Sequence, residues 1–283
     1  MRLKLLGVPI DEVDLKVATQ TVQEWVEKKK SSYVVTPNLE MIMLAQGDSD
    51  FIRVLSEAGL AIPDSARLGW GIKMQESSFV NRLLNWPFFV FPTLMPGNSL
   101  PITTGTDLME KLIKLSGEKG FRIGFLGGQR NVAVKLADRL RVQNPSLKIE
   151  FIQENLAVDL DGNHQFFEMQ NLIGFKQNDA ISDDKEADFY ANLNSRRLDL
   201  LFVAFGHVKQ EKWMSKNLHK TNVKVMLGVG GAFDYLSGSV PRAPLALRKL
   251  GLEWLFRVIL QPWRIFRFAN LVKFIFLVLI KTK

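Results

Sequence analysis

Short apolar runs that are typical of buried strands alternate along this chain with segments whose apolar residues recur at helical spacing. The clearest apolar runs cover residues 121–126, 199–205 and 223–229, and residues 131–142 show the clearest helical pattern. Strands that are joined through helices form βαβ units, and such units build a mostly parallel sheet. The alternation therefore predicts an α/β fold with a doubly wound, mostly parallel sheet that is covered by helices.

The loops that follow the predicted strands are polar or rich in glycine. In chain order they are Thr36-Pro-Asn38, Pro63-Asp64, Gly127-Gly128, residues 206–210 and residues 228–231. Ligands of open parallel sheets bind beyond the carboxyl ends of the strands, where such loops lie. We therefore expect these loops to form a binding site along one rim of the sheet.

Four glycines in these loops are candidate nucleotide contacts. Gly127 and Gly128 open a predicted helix, whose first backbone amides can cradle a phosphate. Gly228 and Gly230 follow another predicted strand. Neither pair belongs to a G-x-G-x-x-G pattern, so tight turns that simply require glycine are the alternative.

Asp64 is the candidate general base. It follows the apolar residues 60–63 at the end of a predicted strand. A carboxylate in an apolar setting can have a raised pKa and accept a proton at neutral pH. The alternative is that Asp64 caps the helix predicted near residues 67–73.

The sequence offers little for a metal or a cofactor. Asp159-Leu-Asp161 matches the Asp-x-Asp pattern of metal sites, but it lies in a polar stretch and is followed by Gly162-Asn163, which favours a turn. The three histidines are scattered and cysteine is absent. We therefore predict no metal site and no cofactor.

The net charge of the chain is concentrated at its C-terminal end. The whole chain carries a net charge of +8, and residues 242–283 hold nine basic side chains against a single acid, Glu253. The same segment contains seven Trp and Phe residues among many Leu, Ile and Val. Nucleic-acid-binding arms are basic and polar, whereas a basic and apolar segment is typical of an anionic membrane surface. We predict a membrane partner and no nucleic acid.

No apolar stretch reaches the roughly 18 residues of a membrane-spanning helix. Residues 268–280 form the longest apolar run of the tail, and a second apolar stretch, 83–95, is broken by Pro87 and Pro92. Both are predicted to lie on a bilayer, with a buried core or a homo-oligomer interface as the alternative. The N-terminus lacks the apolar core and cleavage site of a signal peptide, so the expected location is cytoplasmic, on the inner face of the cell membrane.

Nine short motifs are spread along nearly the whole chain, from Leu5 to Arg257. They are Leu5-Leu-Gly-Val-Pro-Ile-Asp11, Thr36-Pro-Asn38, Pro63-Asp64, Thr104-Gly-Thr-Asp107-Leu108, Gly124-Phe-Leu-Gly-Gly128, Gly206-His-Val-Lys-Gln210-Glu211-Lys-Trp213, Gly228-Val-Gly-Gly-Ala-Phe-Asp234, Arg242-Ala-Pro244 and Gly251-Leu-Glu253-Trp254-Leu-Phe-Arg257. In this order they resemble the motifs of the WecG/TagA/CpsF glycosyltransferase family.

The resemblance implies an inverting transferase that needs no metal. It would move an N-acetylmannosamine-type sugar from a UDP donor to undecaprenyl-diphosphate-linked N-acetylglucosamine, for a cell-surface polysaccharide or teichoic acid. Asp64 would deprotonate the acceptor hydroxyl, Thr36 and Asn38 would line the same pocket, and Gln210 would contact substrate. Two alternatives remain open: another UDP-sugar as donor (N-acetylmannosamine uronate, glucose or galactose), or a homologue that binds a lipid-linked sugar without turnover.

Three tail arginines, Arg257, Arg264 and Arg267, would bind the departing diphosphate. Their spacing of seven and ten residues places them on one stripe if the tail is a continuous helix, and guanidinium groups bind phosphate through forked hydrogen bonds. Ordinary attraction to anionic lipid is the alternative, and it is compatible with the first role.

The chain departs from the family pattern at three positions. Ser65 stands where the family usually has glycine, and Val208 stands where it usually has proline. Ile102 occupies the position of an arginine that is a predicted substrate contact in the family, and Arg82 could replace it if residues 76–101 fold back.

We predict a Rossmann-like glycosyltransferase core over residues 1–241 and a helical, membrane-associating appendage over residues 242–283.

Overall fold

The computed structural model describes residues 1–97, 100–154, 156–166, 183–262 and 268–280. The strands in chain order are β1 (Arg2–Leu5), β2 (Val8–Asp11), β3 (Ser32–Val35), β4 (Leu60–Ala61), β5 (Arg122–Gly127), β6 (Lys148–Gln153), β7 (Leu156–Val158), β8 (His164–Phe166), β9 (Leu200–Ala204) and β10 (Val225–Gly228).

Helices separate most of these strands. They are α1 (Leu15–Glu27), α2 (Leu39–Ala45), α3 (Ser49–Glu57), α4 (Ala66–Glu76), α5 (Phe79–Asn85), α6 (Gly105–Lys119), α7 (Val132–Gln143), α8 (Asp183–Ser195), α9 (Lys209–Asn217), α10 (Ala232–Leu236), α11 (Leu245–Lys249), α12 (Glu253–Leu260) and α13 (Phe268–Ile280). Two short 3-10 helices, Trp86–Phe89 and Pro92–Leu94, follow α5. Within the described ranges, no helix combines the length and the apolar character that crossing a bilayer requires.

The central sheet has six strands in the order β4-β3-β10-β9-β5-β6. Strand β10 pairs in parallel with β3 and with β9, and β5 pairs in parallel with β9 and with β6. Strands β9 and β10 lie in the middle of the sheet, which explains their nearly continuous apolar sequences. The predicted α/β fold with a mostly parallel, helix-covered sheet is confirmed.

The chain divides into two compact units. The first unit comprises Met1–Ala18, Thr36–Thr104 and Pro241–Lys283, and the second comprises Thr19–Val35 and Gly105–Val240. The chain returns to the first unit at Pro241, and the predicted appendage begins at the next residue, Arg242. The division into a core over 1–241 and an appendage over 242–283 stays a prediction.

The core of the second unit lies around its central strands. The ring of Phe125 on β5 stacks on Phe202 of β9 at a centroid distance of 5.9 Å and meets Phe233 of α10 edge-on at 5.5 Å. All three side chains are fully buried. Apolar and aromatic burial of this kind holds the parallel strands and their covering helices together.

The core of the first unit includes the last helix of the tail. Phe274 and Val278 of α13 are fully buried, and Phe274 lies near Trp70 of α4 at a ring distance of 6.3 Å. A Cβ at Gly71 of α4 would come within 2.8 Å of the Phe274 ring, so this glycine permits the close approach of the two helices. Helix α13 is therefore part of the folded first unit.

Two helix boundaries fix where motif residues lie. Helix α6 begins at Gly105, so Thr106 lies inside the helix. Asp107 then lies in the first turn, where a carboxylate offsets the positive end of the helix dipole. In the tail, the structure describes α13 over Phe268–Ile280, and residues 263–267 lie outside the described part of the chain.

Candidate active site

The loops after β3 and β4 are hydrogen-bonded to each other in the first unit. The backbone amide of Asp64 donates to the Pro37 carbonyl at 3.1 Å. Asn38 caps α2, because its Oδ1 accepts from the Met41 amide at 3.0 Å. Thr36 and Asn38 are both partly buried. The two loops predicted to share a pocket are therefore held side by side by their backbones.

A third loop and the beginning of the tail join the same set. The Thr103 amide donates to the Pro63 carbonyl at 3.1 Å, and Nη2 of Arg242 donates to Oγ1 of Thr104 at 3.1 Å. The Thr103 hydroxyl is buried and has no hydrogen-bond partner among the described residues. We call the set formed by Thr36, Asn38, Asp64, Thr103, Thr104 and Arg242 the Asp64 cluster.

Asp64 is not the cap of the helix that follows it. Ser65 is the N-cap of α4, and its Oγ accepts from the Arg67 amide at 3.3 Å. The capping alternative for Asp64 is therefore wrong, because the neighbouring serine performs that role. The Asp64 side chain is partly buried and lies just before the N-terminal end of α4.

The tail arginines are only partly described. Arg257 lies on α12 and is partly buried. It lies three residues after Trp254, so the two side chains share one face of that helix. Arg264 and Arg267 lie outside the described residues. Because α12 ends at Leu260 and Gln261 is not helical, Arg257 does not share one continuous helix with them, and the single-helix stripe is wrong. Their binding of diphosphate stays a prediction.

Arg82 has a different role from the one expected. It is 4% exposed, and its guanidinium donates to the carbonyls of Ser77 and Gln75 and to those of Val278 and Leu279 at the end of α13. These bonds fasten α5 to α13. The guanidinium is engaged by backbone carbonyls, so the expectation that Arg82 replaces the arginine absent at Ile102 is not met.

Gln210 and its neighbour form a buried network in the second unit. Gln210 is 1% exposed, its Oε1 accepts from the Gly230 amide at 3.2 Å, and its Nε2 donates to Oε1 of Glu211 at 2.7 Å. Oε2 of Glu211 is also buried and has no hydrogen-bond partner among the described residues. Burial raises the pKa of Glu211 to about 7, opposed in part by the bonds from Gln210 and from backbone amides. The amide of Gln210 thus holds the loop after β10 to the start of α9.

The four candidate nucleotide glycines lie at or just after the ends of β5 and β10 in the second unit. Gly127 and Gly128 have φ values of +88° and +87°, and a Cβ at Gly127 would lie 2.8 Å from the Ala204 carbonyl oxygen. The Gly128 amide donates to that same carbonyl at 3.0 Å. A Cβ at Gly228 would come within 3.0 Å of the Gln210 amide nitrogen. The backbone angles and close contacts therefore require glycine at Gly127 and Gly128, whereas Gly228 ends β10 and is limited only by its contact with Gln210. Nucleotide contact stays a prediction.

The Asp-x-Asp segment forms a turn between β7 and β8. Oδ1 of Asp159 accepts from the amides of Asp161 and Asn163 at 2.9 and 2.8 Å. Within the described ranges, no group of His, Asp and Glu residues is arranged to hold a metal ion. The turn interpretation of this segment is confirmed.

Comparison with known proteins decides the family. A family model for the glycosyl transferase WecG/TagA/CpsF family matches residues 3–95 and 91–283. Two curated relatives carry the name N-acetylglucosaminyldiphosphoundecaprenol N-acetyl-beta-D-mannosaminyltransferase. The protein from Bacillus subtilis (strain 168) is 27% identical over 92% of this chain and 84% of its own length. The protein from Bacillus spizizenii (strain ATCC 23059 / NRRL B-14472 / W23) is 27% identical over 90% of this chain and 81% of its own.

The chain belongs to the WecG/TagA/CpsF glycosyl transferase family.

Two of the departures from the family pattern have local structural consequences. Ser65 supplies the side-chain cap of α4, which the usual glycine cannot do. Val208 has a φ of +69° just before α9. Proline cannot adopt this angle, because its ring holds φ near −65°. The backbone at the start of the Gln210 segment is therefore one that the usual family residue does not permit.

Sequence reasoning missed two arginines of the first unit, Arg242 of the Asp64 cluster and Arg67 of α4. Arg242 was visible in the Arg242-Ala-Pro244 motif, although no role was assigned to it. Arg67 had no sequence signal, because the side chains that surround it come from distant parts of the chain.

Proposed function

We propose that this chain transfers an N-acetylmannosamine-type sugar from a UDP donor to undecaprenyl-diphosphate-linked N-acetylglucosamine. The observation that carries the proposal is the Asp64 cluster: the loop that contains Asp64 is hydrogen-bonded to two other loops of the first unit, and one of these is bonded to Arg242 at the beginning of the tail. Membership of a glycosyl transferase family supports it, as do two relatives whose names specify this acceptor and this sugar.

The proposed reaction is a single displacement. The carboxylate of Asp64 accepts the proton of the acceptor hydroxyl while that oxygen attacks C1 of the donor sugar. The bond from C1 to the diphosphate oxygen breaks, and UDP departs with the bonding electron pair. Attack from the side opposite to the leaving group inverts the configuration at C1. Thr36 and Asn38, which flank Asp64, would orient the acceptor.

Cationic side chains and backbone amides would stabilise the departing diphosphate. Arg242 is already fastened to Thr104 in the Asp64 cluster, and Arg257 of α12 is partly buried. Arg264 and Arg267 complete the set proposed for the tail. In the second unit, Gly127, Gly128, Gly228 and Gly230 are proposed nucleotide contacts, with Gln210 acting through the loop that it holds. We propose that this arrangement needs no metal ion.

The first unit is also proposed to bind an anionic membrane surface, on the inner face of the cell membrane. Most of its exposed large apolar side chains lie on α5, in residues 86–94 with the two 3-10 helices, and in the tail: Phe79, Val80, Leu83, Leu84, Trp86, Val90, Phe91, Leu94, Leu245, Leu250, Leu255, Ile259, Leu260, Val272, Phe276 and Ile280. The tail also carries nine basic side chains and one acid, so its net charge equals that of the whole chain, +8. Apolar area together with positive charge favours an anionic bilayer.

A screen of UDP-sugars tests the proposed function. The full-length protein would be incubated with each donor and a short-chain lipid-diphosphate-N-acetylglucosamine acceptor, with product followed by mass spectrometry. We expect transfer with UDP-N-acetylmannosamine, and an equal rate in the presence of a chelator. Transfer only from the uronate, glucose or galactose donor would replace the proposed sugar. Binding of UDP-sugars without transfer would replace the transferase with a binding protein.

A further inference from the structure

Arg67 is a buried cation enclosed by two aromatic rings of the first unit. It is the second residue of α4, it is 5% exposed, and its Nε donates to the Phe89 carbonyl at 3.2 Å. Its guanidinium carbon lies 5.4 Å from the Phe89 ring and 4.9 Å from the Trp254 ring. These distances are those of cation–π contacts. The 3-10 segment and the tail thus meet at this side chain.

No carboxylate among the described residues forms an ion pair with Arg67. Arg2, in the same unit, donates from Nε and Nη2 to both carboxylate oxygens of Asp11 at 2.8 Å. Arg82 is equally buried and donates to four backbone carbonyls. Arg67 has a single carbonyl partner, and burial lowers its pKa to about 10. A buried cation without an anion destabilises a fold, so its presence calls for a compensating partner.

The position of Arg67 indicates where that partner binds. It follows Asp64 by three residues, at the N-terminal end of α4, where backbone amides and the helix dipole also favour an anion. Trp254, which covers its guanidinium, lies one turn of α12 before Arg257. Stacked rings occupy the faces of a guanidinium and leave its edge, which donates forked hydrogen bonds to phosphate oxygens.

We propose that Arg67 binds a diphosphate group in the active site, held in place by Phe89 and Trp254. The assignment rests on the proposed function, because that function supplies the two molecules that carry a diphosphate: the UDP-sugar donor and the lipid-linked acceptor. Arg67 would thereby supply a cation in a chain that has Ile102 at the position of the usual arginine. The 3-10 segment Trp86–Phe89 acquires a role as one wall of this subsite.

Binding measurements on the full-length protein test the proposal. The variants are Arg67→Met, which keeps length and apolar contact but removes the charge, and Arg67→Lys, which keeps the charge but not the fork. Arg53→Met on the surface of α3 is the control for the loss of one positive charge. The probes are UDP, farnesyl diphosphate and uridine, which lacks a diphosphate, and the readout is calorimetric Kd together with Tm.

We expect Arg67→Met to weaken the binding of at least one diphosphate by about 10- to 100-fold and to leave uridine binding unchanged. Arg67→Lys should show a smaller loss, and Arg53→Met should bind as the wild type does. A loss confined to UDP assigns Arg67 to the donor, and a loss confined to farnesyl diphosphate assigns it to the acceptor. The Tm of Arg67→Met should not fall, because an unpaired buried charge has been removed.

Wild-type affinity of folded Arg67→Met for both diphosphates would overturn the proposal. If Arg67→Met does not fold, Arg67→Lys decides: unchanged affinity for both diphosphates overturns the proposal, and a loss in a folded protein supports it. Binding needs no turnover, so the result is independent of the proposed function. A wild-type protein that transfers no sugar but binds diphosphate through Arg67 would contradict only the proposed function.

Discussion

The polar loops of the two units are organised in different ways. In the first unit, backbone hydrogen bonds connect the loops around Asp64, and the Asp64 side chain is not used to cap α4. In the second unit, the side chains themselves form the connections, because Gln210 bonds to Gly230 and to Glu211 and is almost fully buried. The loops around Asp64 are thus joined mainly through backbone groups, whereas the loops around Gln210 are joined through side chains.

This difference separates two kinds of motif residue. Asp64 should affect turnover more than stability, since backbone hydrogen bonds hold its loop to the loops after β3 and before α6. Gln210, Glu211, Gly127 and Gly128 should affect stability first, because their side chains or missing side chains are required by the fold. Substitutions in the two units should therefore differ in whether they lower the rate of transfer or the unfolding free energy.

The largest effect is expected for Asp64→Asn. The amide cannot accept the proton of the acceptor hydroxyl, so the rate of transfer should fall by about 10²- to 10⁴-fold. The Tm should stay close to that of the wild type, because Ser65 and not Asp64 caps α4. A rate assay alongside thermal unfolding checks both parts. Normal turnover in this variant would remove Asp64 from the mechanism.

The next largest effect is the dependence of the unfolding free energy on pH, which Glu211 should cause. Its pKa is raised by burial from 4.5 to about 7 in the folded protein. The folded state therefore retains a proton that the unfolded state loses above pH 4.5, and the unfolding free energy decreases as the pH rises through 7. The Glu211→Gln variant lacks this contribution, so its stability relative to the wild type should increase by about 3 kcal/mol between pH 4 and pH 8.

Denaturant unfolding of both proteins at several pH values measures this difference. The difference in unfolding free energy should change mainly between pH 4.5 and 7. If the difference in unfolding free energy is the same at every pH, Glu211 does not titrate as a buried carboxyl, and water reaches its side chain in the folded protein.

Gln210→Ala tests the network directly. The substitution leaves the Gly230 amide and Glu211 without their partner, which should cost about 1 to 3 kcal/mol of unfolding free energy. The rate per folded molecule should change less than in Asp64→Asn. A higher KM for the donor without any loss of stability would instead make Gln210 the substrate contact that the family resemblance implies.

The smallest effect compares exposed apolar side chains of the two units. Ile259 on α12 of the first unit is 69% exposed, and Val142 on α7 of the second unit is 83% exposed. Ile259→Ser should reduce binding to anionic vesicles by up to about tenfold, whereas Val142→Ser should not reduce it. Sedimentation with vesicles measures both, and the Tm of each variant should be unchanged. Equal losses in the two variants would contradict a membrane surface that is confined to the first unit.

These variants are preferable to deletion of the tail. Phe274 and Val278 of α13 are fully buried, and Phe274 lies near Trp70 of α4. Removing residues 242–283 would therefore take away part of the core of the first unit. A loss of activity in such a deletion would report unfolding as well as any role at the membrane.

The fold was predictable because the apolar period changes between strand and helix, and β5, β9 and β10 have the expected apolar sequences. Asp64 was predictable because a charged residue at the end of an apolar strand is unusual. Sequence could not decide between Asp64 and Ser65 as the cap, since both residue types are good N-caps and the backbone geometry makes the choice.

The orientation of side chains was the main feature that sequence could not supply. Nothing in the order of residues shows that Gln210 points inward to Gly230 or that Arg82 reaches the end of α13. Arg67 is the extreme case, because its environment is made by Phe89 and Trp254, which tertiary packing brings together.

The central claim is that transfer is a single displacement with Asp64 as base. The configuration at C1 of the transferred sugar, determined by NMR of the purified product, tests it most directly. The account predicts the configuration opposite to that of the UDP donor. The same configuration in donor and product would exclude a single attack from the side opposite to UDP and would contradict the proposed mechanism.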